Sequence, residues 1–156
     1  MPGRHEHRYR LTASWVGASK TLEGAGSLSR GFRVAIEGKP ELLGSADPAF
    51  RGDASRHNPE ELLLAALAGC HMLSFLALTE KLRIPVLAYS DEAEGRIDMK
   101  DGRIRFVEAV LHPVVTIGPD ADAIKAEALH PEAAKICFIA NSVNFPVRHE
   151  PRTLKA

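Results

Sequence analysis

The chain has 156 residues, 45% of them hydrophobic and 26% charged, a composition that fits one ordinary globular domain and excludes disordered, collagen-like and coiled-coil classes. Twenty Lys plus Arg balance twenty Asp plus Glu, so a phosphate backbone would meet no excess of positive charge and dedicated nucleic-acid binding is not expected. The opening residues Met1 to Arg8 are polar and expected to be flexible, they show no apolar core of a signal peptide, and the longest apolar run is interrupted at His71 and Ser74, so a cytoplasmic protein without a membrane span is expected.

Residues 9–16 alternate, with Tyr9, Leu11, Ala13 and Trp15 on one side and Arg10, Thr12 and Ser14 on the other, the period of a half-buried strand. After a Gly-rich connection, Leu28, Phe32, Val34 and Ile36 share one face of a second strand, opposite Ser27, Ser29, Arg33 and Glu37. Arg30 has the parity of the apolar face. A charge sent inward must be paired or functional, because a buried charge without compensation is strongly destabilising. Residues 38–57 hold Pro40, Gly44, Pro48 and Gly52 without any period and read as a long loop of the functional or closing kind. The Arg51-Gly52-Asp53 tripeptide inside it is read as chance.

Asn58-Pro59-Glu60-Glu61 carries the signature of a helix start: an N-cap, a proline at the first helical position, and a carboxylate where a capping box needs one. The helix is expected to run through Leu67, Cys70, Leu73, Phe75 and Leu78 to about Leu82, with Pro85 as its stop. Its apolar residues surround the axis, which predicts burial on every side, and Ala65, Ala66, Ala68 and Gly69 keep it thin. One small sheet covers one helix face, so the remainder suggests close helix packing across a subunit interface.

Segments 86–99 and 104–117 flank Lys100-Asp101-Gly102-Arg103, a favoured hairpin turn. Val107, Ala109, Leu111, Val115 and Ile117 share a face, and Pro113 implies an edge or a bulge. An Ala-rich helical stretch over 120–139 is interrupted at His130-Pro131, predicting a kink or two short helices, with Cys137 near its end. A last extended segment covers 143–149. The order strand, strand, helix, strand, strand, helix, strand predicts an α+β fold in which two principal helices cover one face of a mainly antiparallel sheet.

Two cysteines are too few for a disulfide scaffold or a four-ligand zinc knuckle. His5-Glu6-His7 lacks the spacing of a metalloprotease helix, and neither a phosphate loop nor a nucleophile elbow occurs, so no metal or cofactor is expected. A cysteine nucleophile acts as its thiolate, and an ordinary thiol with a pKa near 8.5 is mostly protonated at neutral pH. Cys70 lies beyond reach of the helix N-terminal dipole. Arg30 is then the candidate activating cation and Glu60 the carboxylate that would hold it through a bidentate pair. Glu60 and Cys70 stand ten residues, or about 15 Å, apart on one straight helix. Two helices crossing antiparallel at a dimer interface would bring Glu60 of one subunit toward Cys70 of the other. Structural roles stand beside each of these: an inert core thiol, a salt-bridged Arg30, a Glu60 placed for the helix dipole, and a structural or solvent-facing His71.

Asn58-Pro59-Glu60-Glu61-Leu62 with a helical cysteine at position 70, followed by Cys137-Phe138-Ile139-Ala140-Asn141-Ser142 before a final strand, resembles the OsmC/Ohr family of osmotically inducible and organic hydroperoxide resistance proteins, in its OsmC-like branch. The resemblance runs from about Trp15 to Val147. It implies a single domain over 1–156, an intertwined homodimer with active sites at the subunit interface, and a thiol-dependent peroxidase. Such an enzyme reduces organic hydroperoxides, and less efficiently hydrogen peroxide, to alcohols and water. By position Cys70 resembles the peroxidatic cysteine, Cys137 the resolving cysteine, and Glu60 the carboxylate that orients the catalytic arginine. Many members place that arginine in the Gly-rich stretch, where this chain has Lys20. Arg30 is assigned by strand parity and by the similarity of Ser27-Leu28-Ser29-Arg30 to another branch, with Arg51 and Arg56 as substitutes. A Cys70 sulfenic acid would pass to a Cys70–Cys137 disulfide, reset by a lipoyl-type or thioredoxin-like dithiol. Leu73, Phe75 and Phe138 would favour a greasy substrate tail or serve as core. Two other classes remain: a small hydrophobic-ligand binding protein, and a redox sensor that does not turn over.

Overall fold

A computed structural model describes residues 6–17 and 28–156 in two compact units, 1–62 and 63–156. The sequence features at His5, Lys20 and Ser27 lie outside the described residues.

In the first unit, β1 (Thr12–Trp15), β2 (Phe32–Ala35) and β3 (Leu42–Gly44) form an antiparallel sheet in that order. β1 begins at Thr12, later than the alternation suggests, because its partner ends there: Thr12 lies opposite Ala35. Tyr9 and Leu11 run on unpaired, and Tyr9 is 88% exposed. The apolar face of this hairpin exists, yet Leu11 and Trp15 on it are exposed too. Arg30 precedes β2 and is exposed, so the inward orientation expected from strand parity is not found. The predicted long loop contains β3 and a 3-10 turn over Pro48–Phe50, elements too short for a period to register.

Helix α1 spans Pro59–Lys81. Asn58 Oδ1 accepts from the Glu61 N–H at 2.8 Å while Glu61 Oε2 accepts from the Asn58 N–H at 3.1 Å, the reciprocal capping box that the sequence predicts. Its buried residues are Leu67, His71, Phe75 and Thr79, one stripe at a spacing of four and not the all-round burial expected. By length and composition α1 could also cross a membrane, with a mean hydropathy of 2.0, despite the interruptions at His71 and Ser74. Its buried stripe instead serves a protein core.

The second unit holds β4 (Val86–Asp91), β5 (Glu94–Lys100), β6 (Arg103–Leu111), β7 (Pro113–Ile117), α2 (Ala123–Glu127), α3 (Leu129–Ile136), β8 (Val147–His149) and β9 (Arg152–Lys155). Two sheets result, ordered β4-β7-β9 and β5-β6-β8. β4/β7 and β5/β6 pair antiparallel, whereas β7/β9 and β6/β8 are parallel. The hairpin turn is as predicted, with Lys100 opposite Arg103 and positive φ at Asp101 (52°) and Gly102 (73°). Each long predicted strand is instead cut in two. The cut at His112 comes before Pro113, which has no N–H for a ladder, and the His112 N–H goes to Asp91 Oδ1 at 2.8 Å.

The predicted helix over 120–139 becomes two, parted at Ala128. Pro131 falls in the first turn of α3, where a missing N–H costs nothing. A 3-10 turn occupies Ala140–Ser142. The extended segment beginning at Val143 narrows to β8, since the chain bends at Asn144 and Phe145 before Pro146, and β9 adds a strand beyond those predicted.

Phe75, Ile84, Val115, Ile117, Ala126, Leu129 and Ala133 form the core of this unit. Of the five residues expected on one face, Ala109, Leu111, Val115 and Ile117 are buried and Val107 is half-buried. Three imidazoles lie beside the core. His71 Nε2 is 3.0 Å from His130 Nδ1, the His149 ring centroid is 4.1 Å from that of His71, and Phe75 stacks on His130 at 4.3 Å. Burial lowers the pKa of all three, His71 to about 3 and His130 to about 4, and repulsion among the rings adds to the effect on those two.

The native imidazoles thus stay neutral where unfolded ones, with pKa near 6.5, take up protons. The unfolded chain binds more protons below that value, so stability is expected to fall as pH drops from about 6.5 toward 5, a window above ordinary carboxylate titration. Urea midpoints measured across that window test this; a flat profile would contradict burial of three neutral rings.

Candidate functional site

Cys70 lies on α1 next to His71, rotated from it by about 100°, and so on the flank of the buried stripe. It is half-buried. Three residues on, Leu73 is 65% exposed, so this flank of the helix is apolar and open. Cys137 is the C-cap of α3 and is fully buried. The residues after it turn back in the 3-10 segment, which aims the Ala140 N–H at Cys137 Sγ over 3.4 Å.

The two cysteines, 67 residues apart in sequence, are neighbours in the fold, and both are free. Burial pushes the Cys137 pKa up; the Ala140 N–H opposes this, and the neighbouring Cys70 thiol raises it further. Cys137 is therefore a protonated thiol at neutral pH, and the more exposed Cys70 is the sulfur that a reagent from solvent meets first.

Arg30, Arg51 and Arg56, the three candidate cations, line one polar depression of about 330 Å³ in the first unit, with Ser29, Ser45 and Asp53 among its other walls. Asp53 pairs with Arg56 at 3.4 Å. The Asp53 carboxyl is held below its ordinary pKa, first by its hydrogen bonds from the Ser55 hydroxyl and N–H and then by Arg56. Backbone contacts shape this depression. Asp47 Oδ1 accepts from the Ala49 N–H at 2.7 Å, Ser45 Oγ from the Asp53 N–H at 2.9 Å, and a Cβ at Gly52 would lie 1.5 Å from the Ala46 carbonyl oxygen.

Glu60 is half-buried on the first turn of α1, and among the described residues it makes no ion pair. Its neighbour Glu61 is the one committed to the cap. Of the three apolar residues considered for a substrate tail, Phe75 is pure core while Leu73 and Phe138 are exposed. Sequence reasoning missed the histidine cluster and the sulfur-directed Ala140 amide. The first had a partial signal, since His71 and His130 each sit between apolar neighbours, whereas His149 lies between Arg148 and Glu150. The second depends on a 3-10 turn that leaves no pattern. Among the described residues no group of three His, Cys, Asp or Glu side chains is arranged to hold a metal ion.

An α+β fold that sets a half-exposed helical thiol against a buried partner thiol at the end of a second helix defines a dithiol protein. The sequence model for "OsmC-like protein" matches residues 52–152, and the chain belongs to this family. It is similar to an OsmC-like protein of unknown function from Vibrio cholerae, with 29% identity, a TM-score of 0.86, and coverage of 94% of this chain and 99% of the other. An organic hydroperoxide resistance protein from Elizabethkingia anophelis shares the fold at 18% identity and a TM-score of 0.69, over 97% of this chain and 99% of the other. In sequence, the uncharacterized protein YmaD of Bacillus subtilis is 23% identical over 141 residues, 88% of this chain and 87% of its own length.

The difference in exposure predicts different reactivity. Iodoacetamide at pH 8 is expected to alkylate Cys70 at least about tenfold faster than Cys137 in the native protein, and both equally once unfolded. Peptide mapping by mass reads the ratio, and equal native rates would place both thiols in the same environment.

Proposed function

We propose that this protein is a thiol-dependent peroxidase that reduces organic hydroperoxides, and hydrogen peroxide less efficiently, with Cys70 as the peroxidatic and Cys137 as the resolving cysteine. The observation that supports this reading is the pairing, as neighbours in the fold, of a half-exposed free thiol with a buried free thiol that keeps its proton. The Cys70 thiolate attacks the distal peroxide oxygen, the O–O bond breaks, and the alkoxide leaves and takes a proton to become the alcohol. Cys70 is now a sulfenic acid. Cys137 attacks that sulfur, gives up its proton and displaces hydroxide as water, leaving a disulfide. An external dithiol, lipoyl-type or thioredoxin-like, returns both sulfurs to thiols and is itself oxidised.

A guanidinium from the arginine-lined depression, Arg30 first and Arg51 or Arg56 otherwise, stabilises the Cys70 thiolate, with Glu60 orienting it. In this reading the protein is an intertwined homodimer: the arginine and Glu60 of one subunit serve Cys70 of the other. The exposed apolar residues Leu73 and Phe138 then line a substrate path for an organic tail.

One equivalent of tert-butyl hydroperoxide added to reduced protein is expected to consume both thiols and lower the mass by about 2 Da, an outcome abolished in Cys70→Ser. Cys137→Ser is expected to stop at a sulfenic acid that dimedone traps. Among Arg30→Gln, Arg51→Gln and Arg56→Gln, the variant that slows oxidation most identifies the activating cation. Slow oxidation that does not discriminate between hydroperoxides would instead make the thiols structural. A stable monomer by light scattering would overturn the shared site.

A further inference from the structure

The depression of about 330 Å³ that Arg30, Arg51 and Arg56 line in the first unit lies at the small end of the range for small-molecule sites. Val16 is the one apolar side chain among its lining residues, so it offers no wall to an alkyl or aryl body. Three guanidinium groups share it with one carboxylate, that of Asp53, which leaves a surplus of two positive charges in one concavity. Asp53 is engaged by Ser55 and Arg56, and among the described residues neither Arg30 nor Arg51 has an acidic partner. Its walls are fixed by hydrogen bonds. On one side the Val16 N–H donates to the Gly31 carbonyl at 3.0 Å and the Gly31 N–H to Ser29 Oγ at 3.1 Å. On the other the Ser45 N–H donates to the His57 carbonyl at 3.0 Å and the Arg56 N–H to the Asp53 carbonyl at 3.1 Å. Gly31 leaves room for a cation, since a Cβ there would stand 3.0 Å from Arg56 Nη1. Arg51 has φ 66° and ψ 30°, the left-handed region that favours glycine. Backbone conformation alone would not select an arginine at that position, so its charge has to account for it.

We propose that this depression binds a phosphate dianion, as free inorganic phosphate or as the phosphate group of a small ester. The charge follows from the surplus of two. A carboxylate supplies one negative charge and leaves a cation unanswered, whereas a phosphate dianion answers both. Guanidinium groups match phosphate oxygens bidentately, and donors arriving from two separate segments suit a tetrahedral group better than a flat carboxylate. The near absence of apolar wall excludes a fatty tail. A nucleic-acid backbone calls for cations in a row, whereas these are gathered in one hollow on a chain of zero net charge. The depression includes neither cysteine, and binding to it does not depend on the peroxidase reading. Within that reading, bound phosphate competes with the Cys70 thiolate for the activating arginine.

The test is calorimetric titration of the reduced full-length protein, without peroxide, at pH 8 and constant ionic strength. Four probes are used: inorganic phosphate, glycerol 3-phosphate, acetate and a short duplex DNA. Both phosphates are expected to bind saturably and at least tenfold more tightly than acetate, and the tighter of the two names the source, free ion or ester. Arg30→Gln and Arg51→Gln are each expected to weaken phosphate binding at least tenfold. Arg51→Gly, which suits the positive φ, is expected to remain folded and to lose binding to the same extent, so that the loss is traced to the charge. Arg33→Gln, which removes an equal charge outside the depression, is expected to bind phosphate like the parent. The proposal is overturned by phosphate heats that do not saturate, by acetate binding as tightly as phosphate, or by DNA binding more tightly than both phosphates. It is overturned equally by Arg33→Gln weakening phosphate as much as Arg30→Gln and Arg51→Gln do, the mark of diffuse attraction without a site.

Discussion

The burial of one side of α1 is the constraint on which the thiol chemistry rests. Leu67, His71, Phe75 and Thr79 recur every four residues and commit that face to protein interior, with Phe75 joining Val115 and Ile117 in the core. A helix anchored along one stripe cannot turn about its axis, so every other side chain on it has a set direction. Cys70 inherits a position on the flank, partly covered and partly open. Its exposure is thus a geometric remainder of core packing and needs no separate device.

The second thiol is placed by a different kind of order. Cys137 ends α3, and the chain reverses immediately after it through hydrogen bonds that include an amide directed at its sulfur. Burial and that amide act in opposite directions on the proton, and burial dominates. The same eight-residue helix begins with Leu129 and His130 in the interior, so its two ends are both tied down. The environment of Cys137 thus keeps the proton on its sulfur at neutral pH.

Local signals were the legible part of the sequence. The capping box at Asn58 to Glu61 and the turn at Asp101-Gly102 appear where they were read, because each is a short-range arrangement whose geometry the residues themselves impose. The cysteine pairing was legible only as an ordered pair of motifs, since nothing local links positions 70 and 137. Periodicity stood in for packing successfully along the strands of the second unit, where Ala109, Leu111, Val115 and Ile117 are buried, but not in the first unit. Tyr9, Leu11 and Trp15 alternate as a buried face would and yet lie exposed, and α1 is apolar on sides that its own unit leaves uncovered. Pattern tells which residues share a face; it does not tell what lies against that face. Strands of three and four residues such as β3 and β9 escaped notice for the complementary reason, holding at most two periods of alternation.

The loop that carries Arg51 and Arg56 has its outline drawn by main-chain atoms and by the short side chains of Ser45 and Asp47. Gly52 passes so near the Ala46 carbonyl that no side chain fits, and Ser45 and Asp47 hold the surrounding amides. The guanidinium groups contribute little to that outline; of the three, Arg56 alone pairs with another of the described residues, Asp53. Frame and charge are therefore separable here. The charges at Arg30 and Arg51 can be removed one at a time with the loop's shape retained, whereas enlarging a single hydrogen at Gly52 into a methyl group would displace all the charges together.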